Sequence, residues 1–412
     1  MSARGLLHNG DYLKLLIGQT VSGFGSAMSS FVFVLIAMSI TGSPAKAGLV
    51  GTAYALGGTL MALPGGALAD RISRRTIMVG YSLGGAILYG SVAVAGWAGH
   101  LTVLHLILVS FCGGLGYACF APAQSGALRQ IVDPDDLGTA LSANQGRQFL
   151  AGLGGAPLGG LLFSIGRVVP VAVDAVSYFV MTVLLATIRK PLRAAEPDGD
   201  THEPMLRSIR SGLAWLVRQP ALLTIALVAT GINFAALGTL LVLVLDLQRA
   251  GTPASIIGLL ETGMGVGGIV GSIIAPKLLE RFGTGRLAIT SSWITAITFT
   301  ATGFTRQPAV LIVLLFTALL LLPAFNSGLF GYQMLITPDS FQGRAQSAIG
   351  FLATSTNPLA PLLAGVLLTA AGARATLLFF GALLALCAVA LTVSRSIRAI
   401  PLLSEVQAVA TA

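Results

Sequence analysis

Apolar residues in this chain come in long unbroken runs. A helix needs about 20 mostly apolar residues to cross the hydrocarbon core of a bilayer. Runs of that length recur between short polar breaks near residues 13–40, 46–69, 77–97, 102–123, 139–165, 168–188, 219–247, 253–276, 287–304, 309–332, 345–370 and 374–394. Within lipid each segment must satisfy its own backbone hydrogen bonds, so runs this long and continuous are helices. The pattern predicts an all-α membrane protein with twelve transmembrane helices. The opening stretch "MSARGLLHNGDYLKLL" shows no small-residue cleavage site behind a short apolar core, so the first run is expected to be a retained span and not a signal peptide.

Composition agrees, with 55% apolar residues, 51 glycines and a mean hydropathy of +0.86 in 412 residues. The net charge of +9 could suggest a nucleic-acid partner, but its distribution argues otherwise. With the N-terminus placed inside, 18 of the 24 Lys and Arg fall on inner segments and 5 on outer loops (Lys46, Arg167, Arg249, Arg306, Arg374), while Arg147 lies within a span. This positive-inside bias puts both termini in the cytoplasm of a multi-pass cell-membrane protein, and it calls for no nucleic acid. Cys112, Cys119 and Cys387 all fall in apolar runs, as packing residues rather than a disulfide or metal set. The four histidines lack metal-ligand spacing, and no G-x-S-x-G, H-E-x-x-H or Walker A motif occurs, so neither an enzyme nor an ATP-driven pump is expected, and no cofactor.

The chain repeats itself. "GSPAKAGL" from Gly42 matches "GTPASIIGL" from Gly251, and "DRISRR" from Asp70 matches "ERFGTGR" from Glu280. "VDPDDLGTALSA" matches "ITPDSFQGRAQS", with Pro134 on Pro338, and the same offset carries Pro157 onto Pro361. The offsets drift by only a few residues across half the chain, so spans 7–12 duplicate spans 1–6 as two pseudo-symmetric six-helix bundles. The expected organisation is a bundle over 1–188, a linker over 189–218 and a bundle over 219–412. The linker opens with the charged "RKPLRAAEPDGDTHEP". Leu206, Ile209, Leu213, Leu216 and Val217 then form an apolar stripe with Arg207, Arg210 and Arg218 off it, which predicts an amphipathic surface helix.

One charged cluster stands out between spans 2 and 3. "GGALADRISRRTIM" holds Asp70, Arg71, Arg74 and Arg75 within six positions. The arginines suit inside retention, but an acid adds nothing to it. Gly66, Asp70, Arg71, Arg74 and Arg75 resemble the loop 2–3 signature G-x-x-x-D-R-x-G-R-R of the major facilitator superfamily, with Ser73 where glycine is usual. The resemblance implies a rocker-switch secondary transporter whose Asp70 faces the start of span 11, near Gly343-Arg344, and holds the inner gate closed. A carboxylate gains electrostatic energy at a helix N-terminus, which suits that role.

In span 5, "GGAPLGGLL" is similar to the Gly-Pro-x-x-Gly-Gly motif of drug:proton antiporters, with Ala156 and Pro157 in reverse of the usual order. "NGDYLKLLIGQTVSGFG" also looks like the opening of the multidrug and macrolide exporter branch, with Ser26 where an acid is frequent, and Ser110 stands where many such antiporters carry a buried Arg. Gly152, Gly155, Pro157, Gly159 and Gly160 in span 5, and Gly263, Gly267 and Gly271 in span 8, read as small-residue ridges for close helix packing. "GMGVGGIVG" is not a dinucleotide fingerprint, because no strand precedes it.

Ionisable residues inside a membrane are costly and so mark function by default. Asp174 lies on span 6, a peripheral helix in this fold, where a structural hydrogen bond is the expected role. Arg147 and Glu261 fall on spans 5 and 8, which the resemblance places against each other, and each lies about 12 Å in from its own face of a roughly 30 Å core. This predicts a buried Arg–Glu pair that either couples protons to transport or statically locks the packing of the halves. The remaining cavity candidates are few, namely Gln19, Asn144, Gln145, Gln148, Asn233, Asn326, Gln333 and Asn357, and they stand among Gly, Ala, Leu, Val, Phe and Met. The expected activity is export of small lipophilic drugs or natural products by a monomer in the lipid bilayer, with protons as the candidate coupling ion. The alternatives are a carrier for one specific metabolite and a transport-dead receptor on the same scaffold.

Overall fold

A computed structural model describes residues 6, 8–133, 136–192, 213–337, 342–398 and 400, with residues 63, 67, 70, 335, 343 and 344 described by backbone alone. The described residues form helices and no strands. They are α1 (Gly10–Thr41), α2 (Pro44–Arg71), α3 (Arg74–Trp97), α4 (Val103–Ile131), α5 (Leu137–Ile165), α6 (Val169–Ala186), α7 (Pro220–Arg249), α8 (Ala254–Arg281), α9 (Thr284–Thr302), α10 (Pro308–Leu320), α11 (Leu322–Ile336), α12 (Gln342–Thr354), α13 (Leu359–Val393) and α14 (Arg395–Arg398). Nine helical stretches among them are long and apolar enough to cross a membrane. One of these runs Ala345–Val393 and is interrupted at Gly372, whose φ of 78° and ψ of 172° end one pass and begin the next. With that stretch counted as two passes, and with α2 and α9 added, the described residues make twelve.

The first of the repeated sequences forms the same local structure in both halves. Gly42 ends α1 in the left-handed region at φ 63°, and Gly251 follows α7 at φ 78°, each just ahead of a Ser/Thr-Pro pair that starts the next helix. Ser43 accepts a hydrogen bond from the Lys46 amide, and Pro44 occupies the first turn of α2, where its missing N–H costs nothing.

Two spans differ from the runs predicted. The run 309–332 is two helices that meet at Leu321. The run 345–370 breaks over residues 355–358, where Pro358 lacks an N–H and disfavours helical geometry at Asn357. Of the linker stripe, residues 206 and 209 lie outside the described residues. Residues 213–217 are helical, with Leu216 fully buried against Leu222, Ala226 and Ala348. Val217 is exposed, so it does not share the buried face of Leu216.

The chain divides into two compact units, residues 1–199 with 247–262 and residues 200–246 with 263–412. In the first, α1 packs on α5 and α6, α2 on α4, and α3 on α4 and α6. Glycines set these distances. A β-carbon on Gly57 of α2 would strike the Phe111 carbonyl of α4, and one on Gly114 of α4 would strike the Tyr54 carbonyl of α2. In the second unit α9 packs on α10 and α13. The turn from α7 into α8 belongs to the first unit, held by Gln248, whose Nε2 donates to the Leu35 carbonyl at 3.0 Å.

Candidate functional site

A cavity of about 450 Å³ opens in the first unit. Its wall follows from the spacing of small polar residues on α1: Ser22, Ser26 and Ser30 recur every four positions and share one face. Tyr54, Tyr81 and Tyr117 come from α2, α3 and α4, and Gln148 and Arg147 from α5. A second cavity of about 130 Å³ shares Ser26, Ser30 and Tyr54 and reaches Tyr89, Tyr178 and Ser110. Between the two, Ser26 Oγ donates to Tyr178 Oη at 3.1 Å, and Tyr178 and Tyr81 hydroxyls lie 2.9 Å apart. The lining is therefore more polar than the sequence alone suggests. The serine row is legible as an i, i+4 pattern. The tyrosines, scattered over four helices, are not.

Arg147 is the one cation on the described wall of the larger cavity. Its Nη1 donates to the Gln19 backbone carbonyl at 2.6 Å and its Nη2 to Asn144 Oδ1 at 2.8 Å. Gly23 makes this reach possible, since a β-carbon there would sit 2.8 Å from Nη1. The predicted Arg147–Glu261 pair does not form. Arg147 is held instead by the Gln19 carbonyl of α1 and Asn144 of its own helix, and the ion pairs among the described residues are Lys14–Asp11 and Arg306–Asp246. Glu261 has no hydrogen-bond partner among the described residues. Its neighbour Thr262 donates to the Leu153 carbonyl at 2.8 Å. That carbonyl is free because Pro157, four residues on, has no N–H to offer it.

The other candidates divide by unit. Gln19, Asn144 and Gln148 gather around Arg147. Asn233, Asn326 and Asn357 lie in the second unit. Asn233 Nδ2 donates to the Ala353 carbonyl at 3.1 Å and Thr230 Oγ1 to the Leu352 carbonyl at 2.8 Å, where α12 ends. Asn326 is exposed, and the buried Oδ1 of Asn357 lacks a donor. Asp174 is fully buried on α6, with Oδ1 accepting from Ser177 Oγ at 2.9 Å and pressed against Gly25 of α1.

The charged cluster after α2 clamps helix ends. Arg75 donates to the carbonyls of Ala186 and Ile188 at the end of α6, Ser73 Oγ to the Leu192 carbonyl at 3.0 Å, and Arg74 to the Gly126 carbonyl at 3.2 Å. Unpaired carbonyls at a helix C-terminus attract cations. From α1, Lys14 Nζ donates to the Thr187 carbonyl at 2.7 Å, while Asp11 accepts the amides of Arg189 and Lys190. Gly66 lies in the last turns of α2, and Arg71, its final residue, is exposed. The Asp70 side chain and that of Arg344 lie outside the described residues, so the gate contact is not seen.

The glycine ridges have distinct neighbours. β-Carbons on Gly263, Gly267 and Gly271 would run into Ile312, Phe316 and Leu320 of α10, matching four-residue steps on both helices. On α5, Gly155 meets Ala27, Gly159 meets Met28, and Gly160 meets the Ala254 carbonyl. Gly152 departs from this pattern. It faces the open cavity, and a β-carbon added there would meet nothing within 4 Å, because it falls on the α5 face that carries Gln148.

A family model described as a transmembrane secretion effector, MFS_3, matches residues 3–401. The chain belongs to this major facilitator family. It is 26% identical over 383 residues to the multidrug efflux pump Tap of Mycolicibacterium fortuitum, covering 90% of this chain and 92% of that protein. It is 24% identical over 405 residues to macrolide efflux protein A of Streptococcus pyogenes, covering 95% and 97%. Among solved structures it resembles a bacterial homologue of the iron transporter ferroportin in an inward-facing state (TM-score 0.74, 16% identity, 94% and 98% covered). It also resembles a bacterial homologue of the human lysosomal transporter Spinster (TM-score 0.73, 18% identity, 97% and 98% covered). These likenesses establish the all-α major facilitator fold, and the chain is a multi-pass membrane transporter and not an enzyme.

Proposed function

We propose that the protein is an efflux carrier that exports lipophilic drugs or natural products by alternating access. The observation that carries this reading is the cavity of about 450 Å³, a size suited to drug-like molecules, in which the rings of Tyr54, Tyr81, Tyr117 and Phe120 offer apolar faces beside serine, glutamine and arginine side chains. The likeness to Tap and to macrolide efflux protein A, both named as efflux proteins, supports it. In this reading the protein works as a monomer in the cell membrane with both termini cytoplasmic, Asp70 biases the inward-closed state, and Glu261 carries the coupling proton. Expression in a drug-susceptible bacterium, screened against a panel of toxic lipophilic compounds, tests it. Raised resistance to several unrelated compounds is expected, and unchanged sensitivity to all of them overturns it.

The serine and glutamine side chains on the cavity wall favour a second reading, a carrier for one specific metabolite. Counterflow of labelled compounds in proteoliposomes separates the two, since a specific carrier exchanges one compound and a multidrug exporter many. A transport-dead receptor exchanges none.

A further inference from the structure

We infer that the larger cavity takes lipophilic molecules bearing an anionic group, such as a carboxylate or sulfonate, seated against Arg147. This rests on the exporter reading for its biological meaning, but the binding preference itself can be tested separately.

The argument starts from charge balance. A guanidinium taken out of water is costly unless a counter-charge or a full set of acceptors replaces its hydration. Arg147 has two neutral acceptors, the Gln19 carbonyl and Asn144 Oδ1, and no carboxylate among the described residues that line the cavity. Glu261, the acid predicted to pair with it, forms no ion pair with it. The positive charge is therefore left for something else to balance.

Hydrogen-bond supply points the same way. Arg147 Nε and Gln19 Nε2 are both buried without an acceptor. Both side chains belong to the cavity wall and both orphan atoms are donors, though each is covered in this structure, so an anion meets them when the side chains turn into the cavity. Ser22, Tyr54 and Tyr117 add hydroxyls that can turn toward a ligand. A wall with one uncompensated cation and surplus donors matches an acceptor-rich anion, whose oxygens accept charge-assisted hydrogen bonds. A cationic ligand would meet like charge at Arg147, which disfavours it. Phe120 and the tyrosine rings then receive the apolar body of the same molecule.

A matched pair of fluorescent probes tests this: anilinonaphthalene sulfonate, and phenylnaphthylamine, which has the same ring system without the sulfonate. Binding is titrated on the purified full chain in lipid nanodiscs, with empty nanodiscs subtracted. The expected result is that the sulfonate binds about tenfold or more tighter than its neutral twin, that Arg147→Gln abolishes this preference, read as the ratio of the two affinities in the same variant, and that Arg147→Lys retains part of it. Equal binding of the two probes to the wild type overturns the inference, and that comparison needs no variant to fold. A preference that survives in Arg147→Gln overturns it as well. Resistance conferred on cells is scored separately: resistance without the probe preference sinks only the anion assignment, and the preference without resistance sinks only the exporter reading.

Discussion

The Thr262 hydroxyl on α8 donates to the backbone carbonyl of Leu153 on α5, 2.8 Å away, and Leu153 stands four residues before Pro157. Proline leaves one carbonyl of its own helix without a partner, and here a side chain from another helix supplies the donor. Thr262→Val keeps the shape and removes the donor, so it should lower stability by about 1 kcal/mol, in line with hydrogen bonds between membrane helices. In a Pro157→Ala background the amide restored at that position can serve Leu153 instead, and the cost of Thr262→Val should fall toward zero. A thermal-unfolding double-mutant cycle in detergent measures this coupling, and additive effects would refute the account.

Two glycines of similar sequence context should respond oppositely to alanine. Gly267 faces the Phe316 carbonyl, so Gly267→Ala forces α8 and α10 apart and should cost about 1–3 kcal/mol. Gly152 faces open space, and Gly152→Ala should leave the melting temperature unchanged or slightly raised, since alanine is the better helix former. Melting curves of the two variants decide.

Asp11 receives the amides of Arg189 at 3.1 Å and Lys190 at 2.9 Å, tying the start of α1 to the chain leaving α6. Asp11→Ala leaves both exposed amides to water and should destabilise the protein by about 0.5–1.5 kcal/mol, whereas Lys190→Ala, which leaves both backbone amides in place, should have little effect. Protease protection of the segment after α6 would report the local loss.

Transport assays test the two acids directly. Asp70→Asn should cut the efflux rate while leaving expression and substrate binding intact, and wild-type rates would reduce the loop to a clamp on helix ends. Glu261→Gln should abolish proton-gradient-driven efflux in proteoliposomes while substrate exchange continues. Gradient-driven efflux that survives this change rules Glu261 out as the proton carrier.

The helices and their repeat are legible in the sequence because they depend on long-range composition and on local signals. Gly42 and Gly251, each followed by Ser/Thr-Pro, mark their turns because left-handed backbone favours glycine. Partners are not legible at the same level. The family's pairing of spans 5 and 8, with axial height, places Arg147 near Glu261, but neither says which way a side chain turns around its helix. The missing information is Gly23, whose bare backbone lets the guanidinium reach Gln19 on α1. The tyrosine-lined cavity is hidden for a related reason, since Tyr54, Tyr81, Tyr117 and Tyr178 converge only once four helices are packed.

Thr230 and Asn233 hold the last carbonyls of α12 from a different helix. A backbone carbonyl served by a neighbour's side chain no longer depends on the next turn of its own helix. Residues 355–358 can therefore act as a pivot. A bend at this point costs less than in an unbroken helix, because the Ala353 carbonyl rests on Asn233 of α7 and the Leu352 carbonyl is shared between Thr230 of α7 and Ser355.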